Sequence, residues 1–183
     1  IDAVAHTDAD PSELAAVNRA VGELTERLNT RRRPASTMVR QTWDGGRVDY
    51  NTIANAVSGP ANPVAPLRNL RVTEDGLYGE TTLDSFYEGP PGCVHGGWVA
   101  TLLDSALGCA VHTTLPAGVG YTSLGLEVKY VRPLTRDTGR VLCSAEVVYR
   151  GRRQATSEGR LVEAESGKLL AHGTSTCMIF GEG

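Results

Sequence analysis

Apolar and polar residues alternate through the second half of the chain in a rhythm of strands. Leu124, Leu126, Val128 and Tyr130 fall on one face of 122–133, as a half-buried strand requires, and Pro133 ends the run. Val141, Cys143, Ala145, Val147 and Tyr149 repeat the pattern over 139–150. Gly151 and Arg152 then read as a hairpin turn, 153–164 as a returning strand, 165–168 as a second turn and 169–180 as the last strand. An earlier segment, 77–89, reads as a strand that ends in a turn, and the Gly-Pro-Pro-Gly of 89–92 breaks it. Between these strands the stretch from His95 to about Thr114 is apolar nearly all round, through Trp98, Val99, Leu102, Leu103, Ala106, Ala110 and Val111. Such a helix is normally buried. The order of strand, long helix and four hairpin-linked strands predicts an α+β fold, with an antiparallel five-stranded sheet wrapped around one central helix.

The first half has a different pattern. Leu14, Val17, Val21, Leu24 and Leu28 recur at spacings of three and four, which predicts an amphipathic helix over 10–30. Asp10 suits its N-cap, Pro11 its first position and Glu13 a capping box. Arg31, Arg32 and Arg33 follow as a solvated, dipole-compatible end or, alternatively, a phosphate contact. From Pro34 to about Arg71, Pro60, Pro63 and Pro66 punctuate a stretch read as a mostly irregular linker with short pieces of structure. The expected organisation is an N-terminal helical extension and linker over 1–70, followed by one domain over 71–183.

Composition narrows the function classes. With 183 residues, 40% hydrophobic and 21% charged, the chain is expected to fold as a globular protein. A net charge of −3 disfavours a general nucleic-acid binder. No apolar run reaches the roughly 18 residues of a membrane span. The opening IDAVAHTDAD has neither the basic nor the apolar region of a signal peptide, so a cytoplasmic location is expected. Cys93, Cys109, Cys143 and Cys177 are far apart and have no zinc-ligand spacing, so four buried free thiols and no metal site are expected.

One residue interrupts the apolar helix. Asp104 lies on a face with Gly97, Ala100, Thr101 and Gly108, a stripe small enough for another helix or a ligand to approach the backbone. Burial of a lone carboxylate costs several kcal/mol, roughly, unless it is paired or reaches water. The acid is therefore held by a neighbour, exposed at an edge, or lining a pocket. Gly96 and Gly97 place amides at the helix N-terminus, where an anion or a developing oxyanion binds. A helical rise of about 1.5 Å per residue separates Gly96 from Asp104 by roughly 12 Å along the axis. Both serve one reacting centre only if side-chain reach, backbone tilt or a second subunit closes that gap.

The segment EGPPGCVHGGWVATLLDSALG (88–108) resembles the central-helix motif of hotdog-fold acyl-CoA thioesterases of the PaaI and 4-hydroxybenzoyl-CoA thioesterase type. YTSLGLEVKYVRP (121–133), the hairpin YRGRRQA and the ending GKLLAHGTSTCMIF fit the same pattern, so the resemblance covers about 77–180. It implies hydrolysis of an acyl-CoA to a free acid and coenzyme A, the latter as part of the substrate rather than a cofactor. It also implies a dimer, or a dimer of dimers, formed by joined sheets with the active site at the interface. Gly96 would supply the oxyanion-hole amide, and Asp104 would be general base or nucleophile. Ser123, with Thr122 beside it, would help to hold the attacking water, and His95 would organise the loop. Glu88–Gly89 stands where some members have Asn or Gln, which weakens kinship with the hydroxybenzoyl enzymes. Arg150, Arg152 and Arg153 are candidates for the coenzyme-A phosphates, with hairpin-tip solubility as the plain alternative. Trp98, with Val99 and Leu102, would line an acyl tunnel or simply pack the core, and Gly97 is a further candidate for substrate binding. A non-catalytic acyl-CoA binder and an acyl-thioester dehydratase or hydratase are the alternatives on the same fold. A serine hydrolase is disfavoured by the lack of a G-x-S-x-G elbow.

Overall fold

A computed structural model describes residues 2–34, 38–42, 48–73, 76–83, 85–116 and 118–181. Three helices, α1 (Asp2–Ala5), α2 (Pro11–Asn29) and α3 (Gly96–Thr113), accompany eight strands among these residues. The strands are β1 (Met38–Thr42), β2 (Val48–Thr52), β3 (Arg68–Thr73), β4 (Gly76–Thr82), β5 (Gly120–Tyr130), β6 (Arg140–Arg150), β7 (Gln154–Glu163) and β8 (Leu169–Phe180). Strands β1 and β2 form a separate antiparallel pair. The other six form one antiparallel sheet in the order β3-β4-β6-β7-β8-β5. Its concave face holds α3, which contacts β4, β5, β6, β7 and β8. Leu102, Leu103, Ala106, Leu107 and Val111 of α3 are fully buried there, with Val141, Cys143 and Leu161 of the sheet. This is the α+β arrangement expected from the sequence, with a helix apolar all round because strands surround it.

Several expectations change. The sheet has six strands rather than five, because β3 adds an edge beyond β4. The segment read as linker also supplies β1 and β2, while its residues 35–37 and 43–47 lie outside the described residues. The strand read over 77–89 is shorter. β4 ends at Thr82 and a 3₁₀ turn over Ser85–Tyr87 follows, with residue 84 outside the described residues. Residue 117, in the loop after α3, also lies outside them.

Cys143 and Cys177 are buried, but Cys93 and Cys109 are only partly so, and all four are free thiols. Burial pushes the Cys143 thiol from its ordinary 9.0 up to about 12, with a smaller contribution from Cys109. At α2, the Asp10 carboxylate accepts the Ser12 and Glu13 amides at 2.8 and 2.9 Å. The Ser12 hydroxyl and these amides hold its carboxyl below the usual range. Only half of the expected capping box forms, since the Glu13 side chain makes no return bond to Asp10 among the described residues.

β5 departs from simple alternation. Its pairing with β8 slips between Ser123 and Gly125, which leaves Leu124 as an extra residue in a bulge. The slip reverses side-chain parity, so Tyr121 and Ser123 before it and Val128 and Tyr130 after it all address α3. Leu124 consequently leaves the expected apolar face and is 63% exposed. The strand read as half-buried is in fact largely exposed in the single chain, because β8 covers one edge and no described strand covers the other.

Candidate active site

The loop before α3 is built to present the helix N-terminus. Gly92 has φ +75°, a conformation that favours glycine, and its amide donates to Glu88 Oε1 at 2.6 Å. A Cβ on Gly89 would lie 2.7 Å from His95 Cα, so the loop closes only with glycine there. The His95 amide then donates to the Tyr87 carbonyl, and the Val94 amide to the Leu134 carbonyl. His95 itself is the N-cap of α3: its Nδ1 accepts the Gly97 amide at 2.9 Å, which requires a lone pair on that nitrogen. The Gly97 amide is thereby engaged. The Gly96 amide has no acceptor among the described residues and remains available at the positive end of the helix.

β5 runs antiparallel to α3 and touches it at three points. The Tyr121 ring packs on Gly108, where a Cβ would come within 2.8 Å of it. The Ser123 hydroxyl donates to Asp104 Oδ1 at 3.0 Å. The Tyr130 hydroxyl donates to the Gly96 carbonyl at 3.0 Å, with its ring against the glycine Cα. These contacts fix the rotation of α3 so that Asp104 faces β5 rather than the core. Of the small residues read as open to another helix or a ligand, Gly108 takes the Tyr121 ring, and Gly96 beside them takes that of Tyr130. Asp104 is partly buried, and its second carboxylate oxygen has no partner among the described residues. The phenol of Tyr121 is pushed well above its ordinary range, mainly by burial and then by Cys109, Cys177 and Asp104. It therefore stays neutral beside the acid.

The other predicted site residues spread outward from this line. Thr122 lies between two helix-facing residues, so alternation puts it on the opposite face from Ser123. Trp98 packs edge-on against Tyr87 at 5.0 Å between ring centroids and tilted against Phe86 at 6.2 Å, joined to the core with Val99 and Leu102. Arg150, Arg152 and Arg153 together line a cleft of about 710 Å³ with Pro116, Val119, Ile179 and Phe180. Pro116 and Val119 follow the C-terminal end of α3, so this cleft lies at the end remote from Gly96. No cluster of metal-ligating side chains occurs among the described residues. No helix among them is long and apolar enough to cross a membrane.

Sequence reasoning missed Tyr121 and Tyr130. The available signals were Gly125, an isolated glycine inside a strand pattern, and the glycines that bracket Asp104 on α3.

Comparison with known proteins agrees with this fold. Residues 91–170 match the family model of the thioesterase superfamily. No curated protein matches the chain. The solved thioesterase superfamily protein RHA08564 is 27% identical and superposes with a TM-score of 0.77, over 96% of this chain and 87% of its own. A phenylacetic acid degradation-related protein of Ralstonia eutropha JMP134 is 28% identical, with a TM-score of 0.53 over 61% of this chain and 82% of its own. The BH2602 protein of Bacillus halodurans, solved with CoA, is 28% identical, with a TM-score of 0.52 over 56% of this chain and 70% of its own. An antiparallel sheet closed around α3 is the hotdog fold, and over 91–170, the helix and most of the strands that follow it, the chain is similar to the thioesterase superfamily.

Proposed function

We propose that the protein is an acyl-CoA thioesterase whose active site combines Asp104 of one chain with the Gly96 amide of a second. The match to the thioesterase superfamily supports an acyl-thioester hydrolase in general, and the CoA carried by BH2602 supports coenzyme A as the thiol. The observation that carries the reading is Asp104 itself. It is a carboxylate on a buried helix, held through one oxygen by Ser123, with its other oxygen unoccupied by any described residue. In this role Oδ2 accepts a proton from water as the water oxygen bonds to the thioester carbonyl carbon. The carbonyl electrons move onto oxygen, which the Gly96 amide stabilises. Collapse of the tetrahedral adduct re-forms the carbonyl and breaks the C–S bond. Coenzyme A leaves as a thiolate, a good leaving group that needs no strong acid.

A second chain fits the spacing of the site. Gly96 and Asp104 are about two helical turns apart in one chain, too far to share one carbonyl. β5 presents an open edge of eleven residues, with Leu124, Leu126 and Tyr130 exposed along it. A long apolar edge of this kind pairs readily with another strand, and pairing two copies along β5 brings the two α3 helices side by side. Arg150, Arg152 and Arg153, grouped in one cleft, suit the phosphates of the coenzyme.

The test is thiol release from short, long and aryl acyl-CoA by wild type and Asp104→Asn. Release by wild type, reduced about a thousandfold or more in the variant, supports the reading. Equal release by both removes Asp104 from the chemistry, and tight acyl-CoA binding without release favours a non-catalytic binder.

A further inference from the structure

We propose that α2 pairs antiparallel with α2 of a second copy of the chain, as a short two-helix coiled coil. No residue of α2 is buried, and Leu14, Val17, Val21, Leu24 and Leu28 are 38–77% exposed. The domain therefore leaves the whole apolar stripe uncovered. Its spacing of three, four, three and four is the heptad seam of a coiled coil, not the wider stripe of a helix lying on a globular surface. The solved relative RHA08564 is matched over 96% of this chain, which leaves too few residues uncovered to omit α2.

The charged residues beside the seam select the partner and its direction. When two copies of α2 run antiparallel, with Leu14 opposite Leu24 and Val17 opposite Val21, Glu13 of each copy faces Arg27 of the other. Ala20 then faces Ala20 between those two ion pairs, and Asn18 faces Asn18 on the other flank. Neither Glu13 nor Arg27 has a side-chain partner among the described residues of its own chain. The parallel arrangement sets Glu13 beside Asn18 and Ala20 beside Thr25 and forms no ion pair. A slip of one heptad in the antiparallel arrangement sets Arg27 beside Ala20 and also forms none. The stripe is thus self-complementary in one register, which is what an isologous contact requires. This pairing is independent of the hydrolytic reading, since none of these residues belongs to the candidate active site.

The experiment is crosslinking of the full-length protein with a short bis-maleimide. Ala20→Cys places a thiol opposite its own copy, Ala16→Cys places one on the outer side of the pair, and wild type reports the native thiols. All of these positions are exposed, so the substitutions spare the core. Ala20→Cys is expected to give crosslinked dimer well above Ala16→Cys. Glu13→Arg or Arg27→Glu in that background sets like charges against each other twice and reduces the yield about tenfold. The double exchange restores it. Equal crosslinking at positions 16 and 20, or a double exchange that behaves like either single one, overturns the pairing.

Discussion

The two long helices of this chain are nearly equal in length, 19 residues for α2 and 18 for α3, yet their surroundings are opposite. α3 is apolar on nearly every side and is enclosed by five strands. α2 has a single apolar stripe, a good N-cap and no buried residue. Length and capping therefore say that a helix forms, while the width of the apolar surface says what must cover it. A full cylinder calls for a sheet that wraps, and one narrow seam calls for one more helix. Within α3 the single acid faces β5, where Ser123 holds it, and that is where the proposed chemistry lies.

This contrast can be broken most severely in the core. Leu103→Ala on α3 is expected to destabilise the domain by about 2–5 kcal/mol, whereas Val21→Ala on α2 should change the urea midpoint little at low protein concentration. A comparable loss at both positions would mean that α2 packs on its own domain.

Gly108→Ala drives a methyl group into the Tyr121 ring and is expected to cost about 1–3 kcal/mol, read in the same urea titration. If it is neutral, Tyr121 does not set the separation of β5 and α3.

Alkaline pH acts through the same buried layer. The unfolded chain loses the Cys143 proton near 9.0 while the folded chain keeps it to about 12. The unfolded state therefore binds fewer protons over that window, and stability falls as pH rises through it. The slope is at most about 1.4 kcal/mol per pH unit for this one thiol. Cys143→Ala should flatten the slope in a series of chemical denaturations, and an unchanged slope would assign it to other groups. Tyr130→Phe removes a single bond to the Gly96 carbonyl and should cost about 0.5–1 kcal/mol in stability. If Tyr130 also positions the Gly96 amide, kcat falls with little change in KM.

Much of this was legible in the sequence, for reasons that differ by element. β6, β7 and β8 each bury one face, so the alternation of Val141, Cys143 and Ala145 stands out. Asp104 stood out as a candidate because a carboxylate contradicts its apolar neighbours, and Gly96 because a pair of glycines opens the helix; the cap by His95 came only with the structure. The strands β1, β2 and β3 are only five or six residues long and owe their existence to pairing rather than to any local run. The bulge at Leu124 escaped because a regular alternation continues across it in the sequence while the backbone slips by one residue. Tyr130 and Gly96 meet across 34 positions of chain, a proximity that only the crossing of β5 over α3 creates.

The most direct measurement mixes two variants that the proposed mechanism makes inactive. Gly96→Pro removes the amide N–H at the first position of α3, where proline suits a helix, and His95 already has the extended backbone that precedes proline, φ −61° and ψ 131°. Asp104→Asn removes the proposed base. In a mixed dimer with sites shared between chains, one site receives both defects and the other receives neither. Co-refolding equal amounts should therefore restore thiol release to roughly a quarter of wild type. No restoration, with mixed dimers demonstrated by mass, would contradict a site shared between two chains.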